Sequence, residues 1–132
     1  MSRGEAFVKR LVAEVPQLGP LLDEHMTYYD ELLTHVFMAD VSRFAIEEHK
    51  RTKGHDGHTE PLDVLFSTLE AGARDSSEDV QELISVSFLE NLFDEFLDKP
   101  DLRSRLGPAL NRELDRILKA FGYTTDDDTA AS

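Results

Sequence analysis

Three of the five histidines, His49, His55 and His58, lie within ten residues of one another in the stretch HKRTKGHDGHTE. Imidazole nitrogens are common zinc ligands, and a zinc site needs three or four ligands that converge tetrahedrally. The lysines and arginine of the same stretch oppose a dication, and its two glycines make ordering of the chain costly in entropy. The histidines are therefore only weak candidates for metal ligands, and we expect no cofactor.

Other catalytic motifs are absent from the sequence. The chain contains no cysteine, which excludes disulfides, thiolate metal sites and cysteine nucleophiles. It also contains no HExxH spacing, no GxSxG elbow and no glycine-rich phosphate loop. Close pairs of carboxylates are expected by chance in a chain with 27 acidic residues out of 132. We therefore expect a protein that is not an enzyme.

The elements that position these residues are predicted to be helices. Each of the five prolines lies where an apolar periodicity starts or stops, and proline is tolerated in the first turn of a helix. The pattern predicts about six helices in a single all-α domain over residues 1–123, followed by a disordered acidic tail over 124–132. The phrase Leu-Gly-Pro-x-Leu occurs at Leu18 and again at Leu106, as a stack of helical hairpins would produce.

Two of the predicted helices, at about 35–51 and 77–98, are apolar around nearly their whole circumference. A helix that is apolar on all sides is buried among its neighbours. We therefore expect a compact helical bundle in which these two helices are central and the other four cover them.

Polar side chains interrupt both central helices. Asp40, Arg43 and Glu47 follow one stripe of the first helix, whereas Glu90 and Asn91 lie in the second. Burial of an ion costs several kcal/mol, so such residues need partners. One interpretation is a buried polar network in which Arg43 pairs with Asp40, Glu47 or Glu90. The alternative is that these residues line a groove that another molecule fills.

The charge of the chain is strongly negative, at −13 from 14 basic and 27 acidic side chains. Such a surface repels nucleic acid and anionic membranes and suits a basic protein partner. Between residues 61 and 100 ten acidic side chains face only Arg74 and Lys99. We expect six of these acidic residues to contact a basic partner: Glu78, Asp79, Glu82, Asp94, Glu95 and Asp98.

The N-terminal stretch MSRGEAFVKRLVAEV alternates charged and apolar residues, which is not the pattern of a signal peptide. No stretch of the chain approaches the roughly 20 apolar residues that a membrane span requires. The lack of cysteine fits a reducing compartment. We therefore expect a soluble cytoplasmic protein.

Three stretches, ELLTHVFMADVSRFAIE, ISVSFLENL and LGPALNREL, lie in this order between about Glu31 and Leu114. In them the chain resembles an uncharacterised family of small, standalone bacterial helical proteins. The resemblance implies a compact all-α domain and a bacterial origin, and it implies no chemistry. In size and charge the chain is also similar to immunity proteins, which neutralise basic toxin domains.

Two functions are the main candidates from the sequence, beside a third possibility, a purely structural interaction domain that oligomerises through an apolar patch. The first is a non-enzymatic, acidic protein-binding module, by analogy an immunity-like protein that neutralises a basic partner. The alternative is a small-ligand or metal-binding helical protein that uses the histidine stretch 49–60. Replacement of His55 and His58 distinguishes them, because only the second function depends on these side chains.

Overall fold

The computed structural model describes residues 2–52, 60–75 and 77–123, and all regular secondary structure in these ranges is helical. In chain order the elements are α1 (Arg3–Glu14), a 3₁₀ turn (Pro16–Leu18), α2 (Gly19–Tyr29), α3 (Thr34–Arg51), α4 (Glu60–Ala73), α5 (Glu78–Ile84), a π-helical segment (Ser85–Leu89), α6 (Glu90–Asp98), α7 (Pro100–Arg103) and α8 (Pro108–Ala120). The predicted all-α bundle of about six helices is confirmed, since α5, the π segment and α6 form one continuous rod and α7 is a single turn.

The prolines mark the helix starts, as the sequence predicts. Each of the five is the first or second residue of a helical element. There the missing N–H breaks no helical hydrogen bond and the fixed φ suits the helix. At the chain start, Ser2 caps α1 by accepting a hydrogen bond from the Glu5 N–H at 3.1 Å.

One hydrophobic core is shared by the described helices, and the two helices predicted to be central are central. Helix α3 packs against α1, α2, α4, α5 and α6, and the rod over 78–98 packs against α1, α3, α4 and α8. The largest side chains with essentially no exposure include Phe37 of α3 and Phe88 and Phe96 of the rod. Each central helix nevertheless keeps one stripe exposed to solvent.

The π segment in the middle of the rod widens the helix by closing i→i+5 hydrogen bonds, which alters the pairing of nearby backbone groups. The Ser87 carbonyl accepts a hydrogen bond from Asn91 Nδ2 at 2.7 Å and a longer one from Ser42 Oγ at 3.4 Å. The Ser87 hydroxyl itself is hydrogen-bonded to His35 Nδ1. Side chains of the rod and of α3 therefore stabilise the wide turn.

Helix α8 supports the same segment from the other side. The Ser85 hydroxyl donates to the Glu113 carboxylate at 2.5 Å. Hydrogen bonds from Arg116 and then from Ser85, opposed by desolvation, hold the pKa of Glu113 below its ordinary value. The carboxylate is thus kept ionised as an acceptor for a buried serine.

Among the helices in the described ranges, none is both long and apolar enough to cross a lipid bilayer.

Candidate functional site

The rod over 78–98 presents an acidic ridge, which we define by six residues at successive four-residue steps: Glu78, Glu82, Val86, Glu90, Asp94 and Asp98. Five of the six are exposed and Glu90 is partly exposed. At about 1.5 Å per residue the ridge is about 30 Å long. It therefore spans the whole rod, with the apolar Val86, 47% exposed, near its centre.

The π segment reduces the winding of this ridge around the rod. In a regular α-helix, residues four apart are displaced by about 40° around the axis, so a ridge of six would wind halfway around the rod. A wider π turn has more residues per turn and reduces this displacement. The buried residues show the same alignment, because Val80, Ile84, Phe88, Leu92 and Phe96 also follow four-residue steps. One side of the rod is therefore apolar and buried while the opposite side is acidic.

The structure brings four of the six predicted partner-binding residues onto this ridge and adds Glu90. Glu78, Glu82, Asp94 and Asp98 form no ion pair with any residue in the described part of the chain. The other two predicted residues, Asp79 and Glu95, do not lie on the ridge. Asp79 is exposed beside the ridge, whereas Glu95 is half-buried and paired with Lys99.

The predicted buried polar network is wrong, because none of its five residues is buried. Arg43, Glu47 and Asn91 are exposed, and Asp40 and Glu90 are partly exposed. Arg43 does pair with Asp40, one of its three expected partners, but the pair lies at the surface. The charges three and four residues apart mark the exposed stripe of α3. Asn91 instead donates a hydrogen bond to the Ser87 carbonyl in the π segment.

Three of these residues line a groove between α3 and α6 with a volume of about 410 Å³. Arg43 and Glu47 stand on the α3 side, whereas Asn91 and Glu95 stand on the α6 side. Ile46 and Leu92 give the groove an apolar component. This placement agrees with the alternative interpretation of the polar residues, and occupation of the groove by another molecule stays a prediction.

His49, the one metal candidate in the described residues, is buried and has both ring nitrogens engaged. Arg105 Nε donates to His49 Nδ1 at 3.1 Å, and His49 Nε2 lies 3.1 Å from Asp101 Oδ2. Because Arg105 can only donate, Nδ1 must accept and the proton must be on Nε2. Neither nitrogen is then available to a metal ion.

The other two metal candidates, His55 and His58, lie outside the described residues. Within the ranges that the structure describes, no group of three or more histidine, aspartate or glutamate side chains is arranged to hold a metal ion. Of the three histidines, His49 alone lies in the described residues, and its two hydrogen bonds oppose metal binding.

His49 forms part of the wall of a larger cavity, of about 550 Å³, which we call the His49 cavity. It is bounded by the end of α3, by α4, by α7 and by the start of α8. Partial desolvation raises the pKa of Asp101, but the interaction with His49 and hydrogen bonds from the backbone N–H groups of Leu102 and Asp101 outweigh it and hold this pKa below its ordinary value. The Asp101 carboxylate is thus stabilised in its charged form.

Glu70 closes one side of the same cavity. Its carboxylate accepts hydrogen bonds from the backbone N–H groups of Ala109 at 2.8 Å and Leu110 at 3.0 Å, at the start of α8. It also pairs with Arg74 at 3.2 Å. The helix dipole favours an anion at this end. Glu70 therefore joins α4 to α8, and its carboxylate oxygens are already engaged by these contacts.

The sequence did not predict that Asp63, Glu70, Asp101 and Arg105 surround His49. Asp101 and Arg105 are 52 and 56 residues away from His49 in the chain, and no motif joins them. For the π segment a signal was present, since Ser85 and Ser87 are small polar residues within an apolar run. Buried hydroxyls in such a run indicate backbone or side-chain acceptors nearby.

The fold and these sites define an all-α helical bundle with an acidic surface ridge and a polar-walled cavity. The family model described as "Domain of unknown function (DUF7674)" matches residues 8–122, so the chain belongs to that family. No curated protein and no solved structure matches the chain. The resemblance to an uncharacterised family is confirmed, and family membership brings no chemistry to either site.

Proposed function

We propose that this protein is a non-enzymatic binding module that takes a basic protein partner on its acidic ridge. The observation that carries the proposal is a row of exposed carboxylates, at Glu78, Glu82, Asp94 and Asp98, that form no ion pair with a described residue. Elsewhere many of the acidic side chains are neutralised within the fold, as at Asp40, Glu70 and Asp115. The ridge carries negative charge that a partner can use.

Electrostatic complementarity acts mainly on the rate of association. Opposite potentials raise the association rate from about 10⁵–10⁶ to as much as 10⁸–10⁹ M⁻¹s⁻¹ at low salt. Affinity for the partner should therefore fall steeply with ionic strength, because the screening length shortens to about 8 Å at 0.15 M salt.

The composition of the ridge also suits an interface. Interfaces combine an apolar centre with a polar rim, and binding energy concentrates at the centre. Val86 lies near the middle of the ridge with acidic residues towards both ends. Leu97, 39% exposed, adds apolar surface near one end. A partner would thus find a small apolar contact flanked by charges.

Two observations support the non-enzymatic part of the proposal. His49 is locked by Asp101 and Arg105, so it has no nitrogen left for proton transfer with a substrate. The pair of His35 and Ser87 has the residue types of a base and a nucleophile. The Ser87 hydroxyl, however, belongs to a buried residue in the π segment, where a substrate would not reach it.

The proposal extends to the biological setting. A basic partner that is neutralised by an acidic, immunity-like protein in the bacterial cytoplasm would fit the charge, the absence of cysteine and the sequence resemblance. In this setting the partner is a basic domain that the acidic ridge covers.

The test compares three immobilised forms of the full chain in lysate of the source cells. These are the wild type, a ridge variant with Glu82→Gln, Glu90→Gln and Asp94→Asn, and a control variant with Glu14→Gln, Asp23→Asn and Glu31→Gln. Both variants lose three negative charges, and the control positions are exposed and lie off the rod. Proteins eluted by a salt gradient are identified by mass spectrometry.

We expect a basic protein that is retained by the wild type and the control and is lost from the ridge variant. Its elution from the wild type should occur at moderate salt. Equal retention by all three columns, or retention that does not depend on salt, would contradict binding at the ridge.

A further inference from the structure

A cluster of apolar side chains lies beside the acidic ridge, near the end of the described chain. The ring of Phe93 in α6 is 5.1 Å from the ring of Phe121 and 5.8 Å from that of Tyr123, centroid to centroid. Phe93 is partly buried against the core, whereas Phe121 and Tyr123 are 48% and 43% exposed. Leu97, one turn after Phe93, is 39% exposed. These four residues form an apolar surface that we call the aromatic patch.

The end of α8 holds this patch in place. The N–H of Tyr123 donates to the Leu118 carbonyl at 2.8 Å, and that of Gly122 donates to the Lys119 carbonyl at 3.0 Å. The two bonds form a Schellman motif, which places a residue of positive φ just beyond the helix, and here that residue is Gly122 at φ 87°. The turn carries Tyr123 back to Phe93. The exposed ring is therefore positioned by the backbone that closes the helix.

The patch and the ridge form two parallel rows along α6. Phe93 and Leu97 are four residues apart, and so are Asp94 and Asp98, which follow them directly in the chain. Residues four apart lie one above the other on a helix, so an apolar row runs beside an acidic row. A second helix laid along α6 would match both rows with an apolar stripe and a basic stripe at the same spacing.

Charge decides what can cover the patch. Asp94 and Asp98 form no ion pair with a described residue. A second copy of the chain, with its formal charge of −13, would bring further carboxylates to the ridge. The stretch that follows Tyr123 in the sequence, TTDDDTAAS, has three aspartates and no large apolar side chain. A segment that is both basic and apolar complements both rows.

We propose that the aromatic patch and the adjoining end of the acidic ridge hold an amphipathic, basic helix of the partner. Large apolar side chains of that helix cover Leu97 and Phe121, and its lysines or arginines meet Asp94 and Asp98. A cation of the same helix also gains from lying over the exposed face of Tyr123. This inference rests on the proposed function and adds the kind of segment that the ridge binds.

The test measures the binding of two synthetic helical peptides to the full chain by fluorescence anisotropy. One is built from leucine and lysine with its leucines on one face. In the other, alanine replaces every leucine, so both peptides carry the same charge. The patch variant is Leu97→Ser with Phe121→Ser. The control variant, Tyr28→Ser with Val36→Ser, removes apolar side chains that are also exposed but lie on α2 and α3.

We expect the wild type and the control to bind the leucine peptide about tenfold more tightly than the alanine peptide, which is the gain that burial of roughly one apolar side chain supplies. The patch variant should lose this preference and bind the alanine peptide as the wild type does. Equal affinities of the wild type for the two peptides, or a preference that persists in the patch variant, would overturn the inference. Circular dichroism checks folding, and Tyr123→Ser, beyond the end of α8, replaces the double variant if the latter does not fold.

Two further measurements separate the causes of a failure. The ridge variant should bind both peptides more weakly than the wild type. If it binds them equally well, the proposed function fails and the inference fails with it, whereas normal dependence on the ridge without a preference for leucine removes only the inference. Sedimentation of the wild type without peptide should show no dimer that the patch variant loses, because such a dimer would assign the patch to a second copy of the chain.

Discussion

The acidic ridge and the wall of the His49 cavity differ in how their charged side chains are buried and paired. On the ridge, carboxylates such as Glu82 and Asp94 are exposed and form no ion pair with a described residue. In the wall, Arg105 and His49 are buried and hydrogen-bonded to each other. Exposed charges contribute little to stability, whereas removal of one partner of a buried charged group is costly. Substitutions on the ridge should therefore change stability little, whereas substitutions in the wall should reduce it strongly.

The largest effect should follow from His49→Ala in the wall. The substitution leaves a cavity and removes one hydrogen-bond partner of buried Arg105, so we expect the free energy of unfolding to fall by about 3 kcal/mol. Urea denaturation followed by circular dichroism measures it. The matched ridge substitution Glu82→Ala should change stability by no more than about 0.5 kcal/mol. Equal losses in the two variants would remove the distinction between ridge and wall.

A smaller loss is expected for Glu70→Gln. The neutral amide is a poorer acceptor for the Ala109 and Leu110 N–H groups, and the favourable interaction with the helix dipole and with Arg74 is lost. We expect a loss of about 1–2 kcal/mol, measured by urea denaturation. Glu78→Gln, at the start of α5, is the control because its carboxylate caps no described N–H group. An unchanged free energy of unfolding in Glu70→Gln would show that α8 does not depend on this carboxylate.

The third prediction concerns pH and Asp101. Its pKa is lower in the folded protein than its ordinary value, so its ionised form favours folding. This contribution is present above the unfolded pKa of about 3.9 and is lost as pH falls through the lower folded value. The melting temperature of the wild type should therefore exceed that of Asp101→Asn at pH 6, and the difference should shrink below about pH 4. A constant difference across this range would contradict the assignment.

The smallest effect is expected on the ridge, with the opposite sign. Asp94 is four residues from both Glu90 and Asp98, and like charges at this spacing repel by about 0.2–0.5 kcal/mol per pair. Asp94→Asn should therefore stabilise the protein by about 0.5 kcal/mol at low salt, with less gain at high salt. Asp115→Asn, which breaks the ion pair with Arg103, should instead destabilise it. Destabilisation by Asp94→Asn would indicate that the ridge has partners within the fold.

Sequence reasoning recovered most of the fold, because its signals are local. Proline positions and apolar periodicity predicted each long helix, and the two central helices were identified by their apolar content. The same reasoning misplaced the polar residues of α3. It took an apolar circumference to mean complete burial, whereas Asp40, Arg43 and Glu47 mark the stripe that faces solvent. Local periodicity does not show which neighbours cover a helix.

The candidate site was predicted only in part, for a related reason. Acidic composition predicted a charged rod, but the alignment of Glu78, Glu82, Asp94 and Asp98 depends on a π turn that neighbouring helices stabilise. The partners of His49 come from α7 and from the segment between α7 and α8, far along the chain. Contacts between distant segments form through packing and leave no spacing pattern in the sequence.

The two copies of Leu-Gly-Pro show most clearly which features the local sequence determines and which depend on tertiary packing. At Gly19 and at Gly107 the phrase starts a helix, and the sequence alone determines that, because the fixed φ of proline suits a first helical turn. A Cβ at Gly19 would meet open space, whereas one at Gly107 would lie 2.5 Å from Glu70 Cδ. Only the packing of α4 against α8 crowds the second glycine, since it alone brings the Glu70 carboxylate to that backbone.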